Sequence, residues 1–138
     1  MSARDESAAQ AWELVFDGGS LGNPGRGYGS YRLRPPGGDW GPAVRCEHGA
    51  RVTNNEAEYM TLSAALEALA AALGEPGRTA VTVYGDSQLV LRQLEGAWRV
   101  RTASLAPHHA RAKTALAAFG RVRLVWQRRD RSVALLGH

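Results

Sequence analysis

The chain has 138 residues, which suits one domain around one core, and its 44% apolar and 22% charged residues exclude wholesale disorder. The formal net charge of +4 admits a polyanionic partner. Cys46 is the only cysteine, so an intramolecular disulfide and a thiolate metal cluster are both excluded, as expected of a protein in a reducing, cytoplasmic setting.

Residues 1–11 are short, polar and alanine-rich without an apolar leader core, and read as a flexible tail before a single domain at 12–138. No run approaches membrane-spanning length, so no membrane partner is expected, and a monomer is the default. Trp12–Asp17 is a short apolar run that reads as a strand ending at Asp17-Gly18-Gly19. Gly22-Asn23-Pro24-Gly25 is a turn, with proline pre-setting φ and the following glycine accepting φ > 0. Tyr28–Leu33 alternates like a half-buried strand. After a second turn at Pro35-Pro36-Gly37-Gly38, Trp40–Val52 holds a third, more polar strand.

The period changes at Thr53. Tyr59, Leu62, Leu66, Leu69 and Leu73 share one helical face, Thr53 and Glu56 have capping-box spacing, and Gly74, Pro76 and Gly77 stop the helix. Ala80–Tyr84 is a β-branched strand, Ser87–Glu95 a short helix, and Gly96–Ala106 a connection. Pro107–Phe119 is another helix, Val122–Trp126 a last strand, and Arg129–Leu136 a short terminal helix. The order is an antiparallel three-strand meander followed by strand–helix alternation. It predicts an α/β fold with a mixed sheet and helices packed on it.

Three acids fall at element ends. Asp17-Gly18 is ordinary turn chemistry, or a carboxylate beside glycines that let a ligand reach the backbone. Glu58 lies in the first turn of the long helix, where the helix dipole alone favours a carboxylate. Asp86 follows a strand and precedes a helix, which suits either an N-cap or a ligand crevice. If the meander and Ala80–Tyr84 are neighbours, all three reach one edge. There they repel one another unless a hard divalent cation such as Mg²⁺ resolves the cost. Asn54 and Asn55 cap the helix or present amides to a ligand.

Asp17-Gly18-Gly19-Ser20 with Gly22-Asn23-Pro24-Gly25, then Thr53-Asn54-Asn55 with Glu58, then Gly85-Asp86-Ser87, resemble the type 1 ribonuclease H family. Gln93-Leu94-Glu95-Gly96-Ala97-Trp98-Arg99-Val100 followed by Arg111-Ala112-Lys113 is similar to its short bacterial and archaeal members, which lack the basic protrusion of some relatives. The resemblance runs from about Glu13 to the C-terminus. It implies a five-stranded mixed sheet with helices on both faces. It also implies metal-dependent endonucleolytic hydrolysis of the RNA strand of RNA–DNA hybrids, with two Mg²⁺ or Mn²⁺ ions and 5′-phosphate and 3′-hydroxyl products. Asp17, Glu58 and Asp86 are the implied catalytic and metal-holding residues. Gly18, Gly19, Asn54, Asn55 and Gln88 are the implied contacts to the RNA minor groove. Trp98 and Arg99 match the segment that meets the DNA strand.

The sequence departs from the family pattern near its end. Ala134 matches the alanine of the terminal Ala-Asp pair, but the next residue is Leu135. Asp130, five residues earlier, and His138, one helical turn beyond, are the candidates for a fourth ligand. The departure makes a weakened enzyme, or an inactive module that binds hybrid or double-stranded RNA, the alternative reading. A DNA-cutting relative of the same fold is disfavoured by Thr53-Asn54-Asn55.

Overall fold

The computed structural model describes residues 11–137. Within them the elements run β1 (Trp12–Leu21), β2 (Gly25–Arg34), β3 (Val44–Val52), α1 (Asn54–Ala72), β4 (Ala80–Gly85), α2 (Gln88–Glu95), α3 (Ala106–Ala117), β5 (Arg121–Trp126) and α4 (Arg129–Leu136), with single 3₁₀ turns at Pro76–Arg78 and Ala103–Leu105. One five-stranded sheet has the order β3-β2-β1-β4-β5. The β1–β2 and β2–β3 pairs are antiparallel, and β1–β4 and β4–β5 are parallel. This is the mixed sheet that a meander followed by strand–helix alternation predicts.

Several boundaries differ from the sequence expectation. β1 does not stop at Asp17 but runs on to Leu21, because β2 starts at Gly25 and continues the ladder past Gly18↔Gly29 and Gly19↔Tyr28. Asp17 is therefore a mid-strand residue, paired opposite Ser30, and its turn reading falls away. In the hairpin the positive φ falls on Gly22 and Asn23 rather than on Gly25. Gly25 is required for another reason: a Cβ there would collide with the Leu21 carbonyl. β3 begins at Val44, since the Trp40 and Gly41 carbonyls accept from the Arg32 guanidinium instead of joining a ladder. Ala11, assigned to the tail, is buried; the remainder of the tail lies outside the described residues.

Strand alternation sorts the core. Leu14 and Phe16 of β1, Tyr31 of β2 and Val81 and Val83 of β4 join Tyr59, Leu62, Leu66 and Leu69 of α1 in one cluster, completed by α2 and α3. Each of these fully buried leucines contributes on the order of 1.5–3 kcal/mol. Val15, between Leu14 and Phe16, is also fully buried and faces the other side. There α4 packs on β1, β2 and β4 through Ser132 and Leu136. Helices thus cover both faces. Arg32 fastens α4, donating from Nη1 to the Leu135 carbonyl at 2.6 Å. Among the described residues no helix is long and apolar enough to cross a membrane.

Candidate active site

α1 starts where the sequence places its capping box. The Glu56 amide donates to Thr53 Oγ1 at 3.1 Å, and the Thr53 amide donates to Glu56 Oε1 at 2.9 Å. Glu56 is thereby committed to the cap. Glu58 stands just beyond the first turn and is buried, so a favourable dipole contact at the surface does not account for it. α1 reaches the sheet over the paired glycines Gly18 and Gly29. A Cβ on Gly18 would sit 2.6 Å from the Ala57 carbonyl oxygen, and one on Gly29 would collide with Thr61 Oγ1. A Cβ on Gly19 would meet Tyr28 Oη at 2.7 Å. Helix packing and a tyrosine ring therefore account for the absence of side chains at these glycines.

Asp86 lies between β4 and α2. Ser87, rather than Asp86, caps α2 by accepting from the Val90 amide, and Trp126 Nε1 donates to the Asp86 backbone carbonyl at 3.1 Å. The N-cap alternative for the Asp86 carboxylate is thus removed. Asp17, Glu58 and Asp86 converge: one carboxylate oxygen from each lies within 4.8 Å of the others. Burial, then the charge of Asp17, then that of Asp86, pushes the Glu58 carboxyl well above its ordinary value. Asp86 is raised by burial and by Asp17, opposed by the guanidinium of Arg129. Glu58 Oε2 is buried without a hydrogen-bond partner. An orphaned carboxylate oxygen within an all-oxygen donor set fits a hard divalent cation such as Mg²⁺ or Mn²⁺.

The other predicted contacts surround this group. Asn54 spends its side-chain oxygen on the Ser20 amide at 2.8 Å, and its backbone amide donates to Asn23 Oδ1 at 3.0 Å. The β1–β2 hairpin is thereby stitched to the start of α1, and the Asn54 side-chain nitrogen has no hydrogen-bond partner among the described residues. Asn55 and Gln88 are exposed at the starts of α1 and α2. A groove of about 610 Å³ is lined by Asn55, Leu89, Gln93, Trp98, Arg99 and Leu105, among others. Trp98 is 45% exposed at its wall.

Among the described residues, the fourth-ligand candidate Asp130 does not join the group. Asp130 is 65% exposed, pairs with Arg128 at 3.2 Å and accepts from the Arg131 amide. Leu135 presents its carbonyl to Arg32, and His138 lies outside the described residues. Sequence reasoning missed Arg129 beside Asp86, the Asn23–Asn54 stitch and the buried Gln93, because none belongs to a periodic or acidic pattern. His108 and His109, at the start of α3, are half-buried. His108 Nε2 sits 3.5 Å from Glu56 Oε2, and His109 Nε2 donates to the Gln93 carbonyl at 3.2 Å.

A family profile described as reverse transcriptase-like matches residues 16–134. The chain is 42% identical over 107 residues to a ribonuclease HI of Halobacterium salinarum, covering 75% of this chain and 50% of that protein. It is 34% identical over 122 residues to a bifunctional protein of Mycobacterium tuberculosis, covering 86% of this chain and 32% of that one. The chain thus spans half or less of the length of these curated relatives. Among solved structures, ribonuclease H1 of Halobacterium salinarum matches with a TM-score of 0.79 at 35% identity, covering 88% of this chain and 89% of that chain. A ribonuclease H1 solved in complex with an RNA/DNA hybrid matches with a TM-score of 0.80 at 25% identity, covering 89% of each.

Proposed function

The chain belongs to the ribonuclease H family, and from that premise we propose that it is a divalent-metal-dependent endonuclease. It cleaves the RNA strand of RNA–DNA hybrids, leaving 5′-phosphate and 3′-hydroxyl ends. The observation that carries the reading is the convergence of Asp17, Glu58 and Asp86 within 4.8 Å, with Glu58 Oε2 buried and unpartnered. When bound, two Mg²⁺ or Mn²⁺ ions supply charge neutralisation at the scissile phosphate and a water of lowered pKa. Asp17, Glu58 and Asp86 would hold them.

The surrounding residues orient the substrate. Backbone groups of Gly18 and Gly19, the side-chain nitrogen of Asn54, and the side chains of Asn55 and Gln88 hydrogen-bond ribose hydroxyls and base edges in the shallow minor groove, which distinguishes RNA from DNA. Trp98 and Arg99 meet sugar and phosphate of the DNA strand. The test is cleavage of an end-labelled hybrid by the purified protein with Mg²⁺ or Mn²⁺. Asp17→Asn is expected to lower the rate at least about 10³-fold, since several kcal/mol of charge stabilisation goes with the displaced ion. An Asp17→Asn protein that cuts at the wild-type rate places the chemistry elsewhere.

Leu135 favours a second reading, a module that binds hybrid or double-stranded RNA with little turnover. Among the described residues α4 offers only Asp130 as an acid, and that side chain is occupied by Arg128. Leu135→Asp separates the two readings. A gain in cleavage supports a weakened enzyme, whereas tight hybrid binding without turnover in both proteins supports the binding module.

A further inference from the structure

Gln93 is 4% exposed on α2, a helix that carries no acid of the site. Both its side-chain oxygen and its side-chain nitrogen are engaged. Oε1 accepts from Tyr59 Oη at 2.6 Å, and Nε2 donates to the Arg99 carbonyl at 3.1 Å. Its backbone carbonyl accepts from His109 Nε2, whose ring meets the Tyr59 ring edge-on at 6.1 Å between centroids. Tyr59 is fully buried and immediately follows Glu58.

The Arg99 end of this relay is different in kind. The Ala97 and Trp98 amides close onto the Arg92 carbonyl, and the Thr102 carbonyl accepts from Leu105. Among the described residues, the hydrogen bond from Gln93 is the one that ties the backbone between those two points. Val100 adds partial packing on the core. Ala97, Trp98 and Arg99 are all exposed. A buried amide is therefore spent on placing an exposed aromatic–basic loop. The groove that the loop walls is also lined by Asn55, from the first turn of α1, and by Gln93.

We infer that Gln93 is a positioning residue. Through Tyr59 and the Arg99 carbonyl, it fixes the distance between the carboxylate-bearing helix and the loop that grips the second strand of the substrate. The inference rests on the hybrid-cleaving reading of the site. A core amide with a purely structural role would contribute to stability but not to strand grip.

The test uses Gln93→Leu and Tyr59→Phe in the full chain. Both are expected to keep a cooperative melt and to accelerate amide exchange at 98–101. Both should also weaken hybrid binding in the absence of divalent ions about tenfold. The loss appears in KM, with kcat changing by less than about threefold. Adding Trp98→Ala to Gln93→Leu should cost less than about twofold more, because the two act on one contact. Wild-type hybrid affinity in both variants, or full additivity with Trp98→Ala, overturns the assignment. If Gln93→Leu fails to fold, Tyr59→Phe alone decides. A wild-type protein that binds no hybrid overturns the functional reading instead, and the exchange rates then still report whether Gln93 holds the loop.

Discussion

Burial and the neighbouring Asp17 and Asp86 carboxylates act in the same direction on Glu58, so the folded protein holds its proton more tightly than the unfolded chain does. The sign of the linkage follows. This contribution to stability is fully present below the ordinary value of 4.5 and is lost as pH rises through the raised one. Without divalent ions, wild type should therefore melt below Glu58→Gln near pH 8, with the gap closing towards pH 4.5. Mg²⁺ or Mn²⁺ should lift wild type more than the variant, because the folded state gains a ligand set that the variant lacks. Melting curves at stepped pH check this, and parallel curves for the two proteins contradict it. At this scale the three acids were legible from residue type and spacing, and so was Glu56 as the cap. The buried, orphaned oxygen of Glu58 was not, because burial depends on elements distant in sequence.

Between elements, the spacing of Asp17 and Glu58 is set by two backbones in contact. α1 meets Gly18 directly through the backbone of Ala57 and Glu58, so a methyl group at position 18 has to push the helix away from β1. Gly18→Ala is expected to cost about 1–3 kcal/mol in urea unfolding and to lower hybrid cleavage. Gly77→Ala, where an added Cβ meets nothing within 4 Å, should stay within about 0.5 kcal/mol. Element order and type were readable from period and punctuation, as the capped α1 and the turn at Gly22–Gly25 illustrate. Their limits were less so. Glycine reads as a strand breaker, yet Gly18 and Gly19 remain in β1 because β2 pairs with them. Trp40 and Gly41 read as strand, yet their carbonyls go to Arg32.

For the molecule as a whole, the +4 net charge predicts that hybrid binding is strongly salt-dependent. With about four phosphates neutralised, affinity should fall about 10²-fold between about 50 and 200 mM salt. Arg99→Ala should lower the slope of log K against log salt by about one. A flat salt profile in a binding titration excludes a phosphate-gripping surface. The residues themselves determined a mixed α/β domain and three acids in a specific order, since these follow from composition, period and local motif, and the resemblance to the family marked Leu135 as the departure from its pattern. Only the tertiary structure decided that the acids meet within 4.8 Å, that α4 is held by Arg32 with its sole acid turned to Arg128, and that Gln93 ties the Trp98–Arg99 loop to the helix of Glu58. Each of these depends on strand register and helix docking between segments far apart in the chain, where no local pattern carries the information.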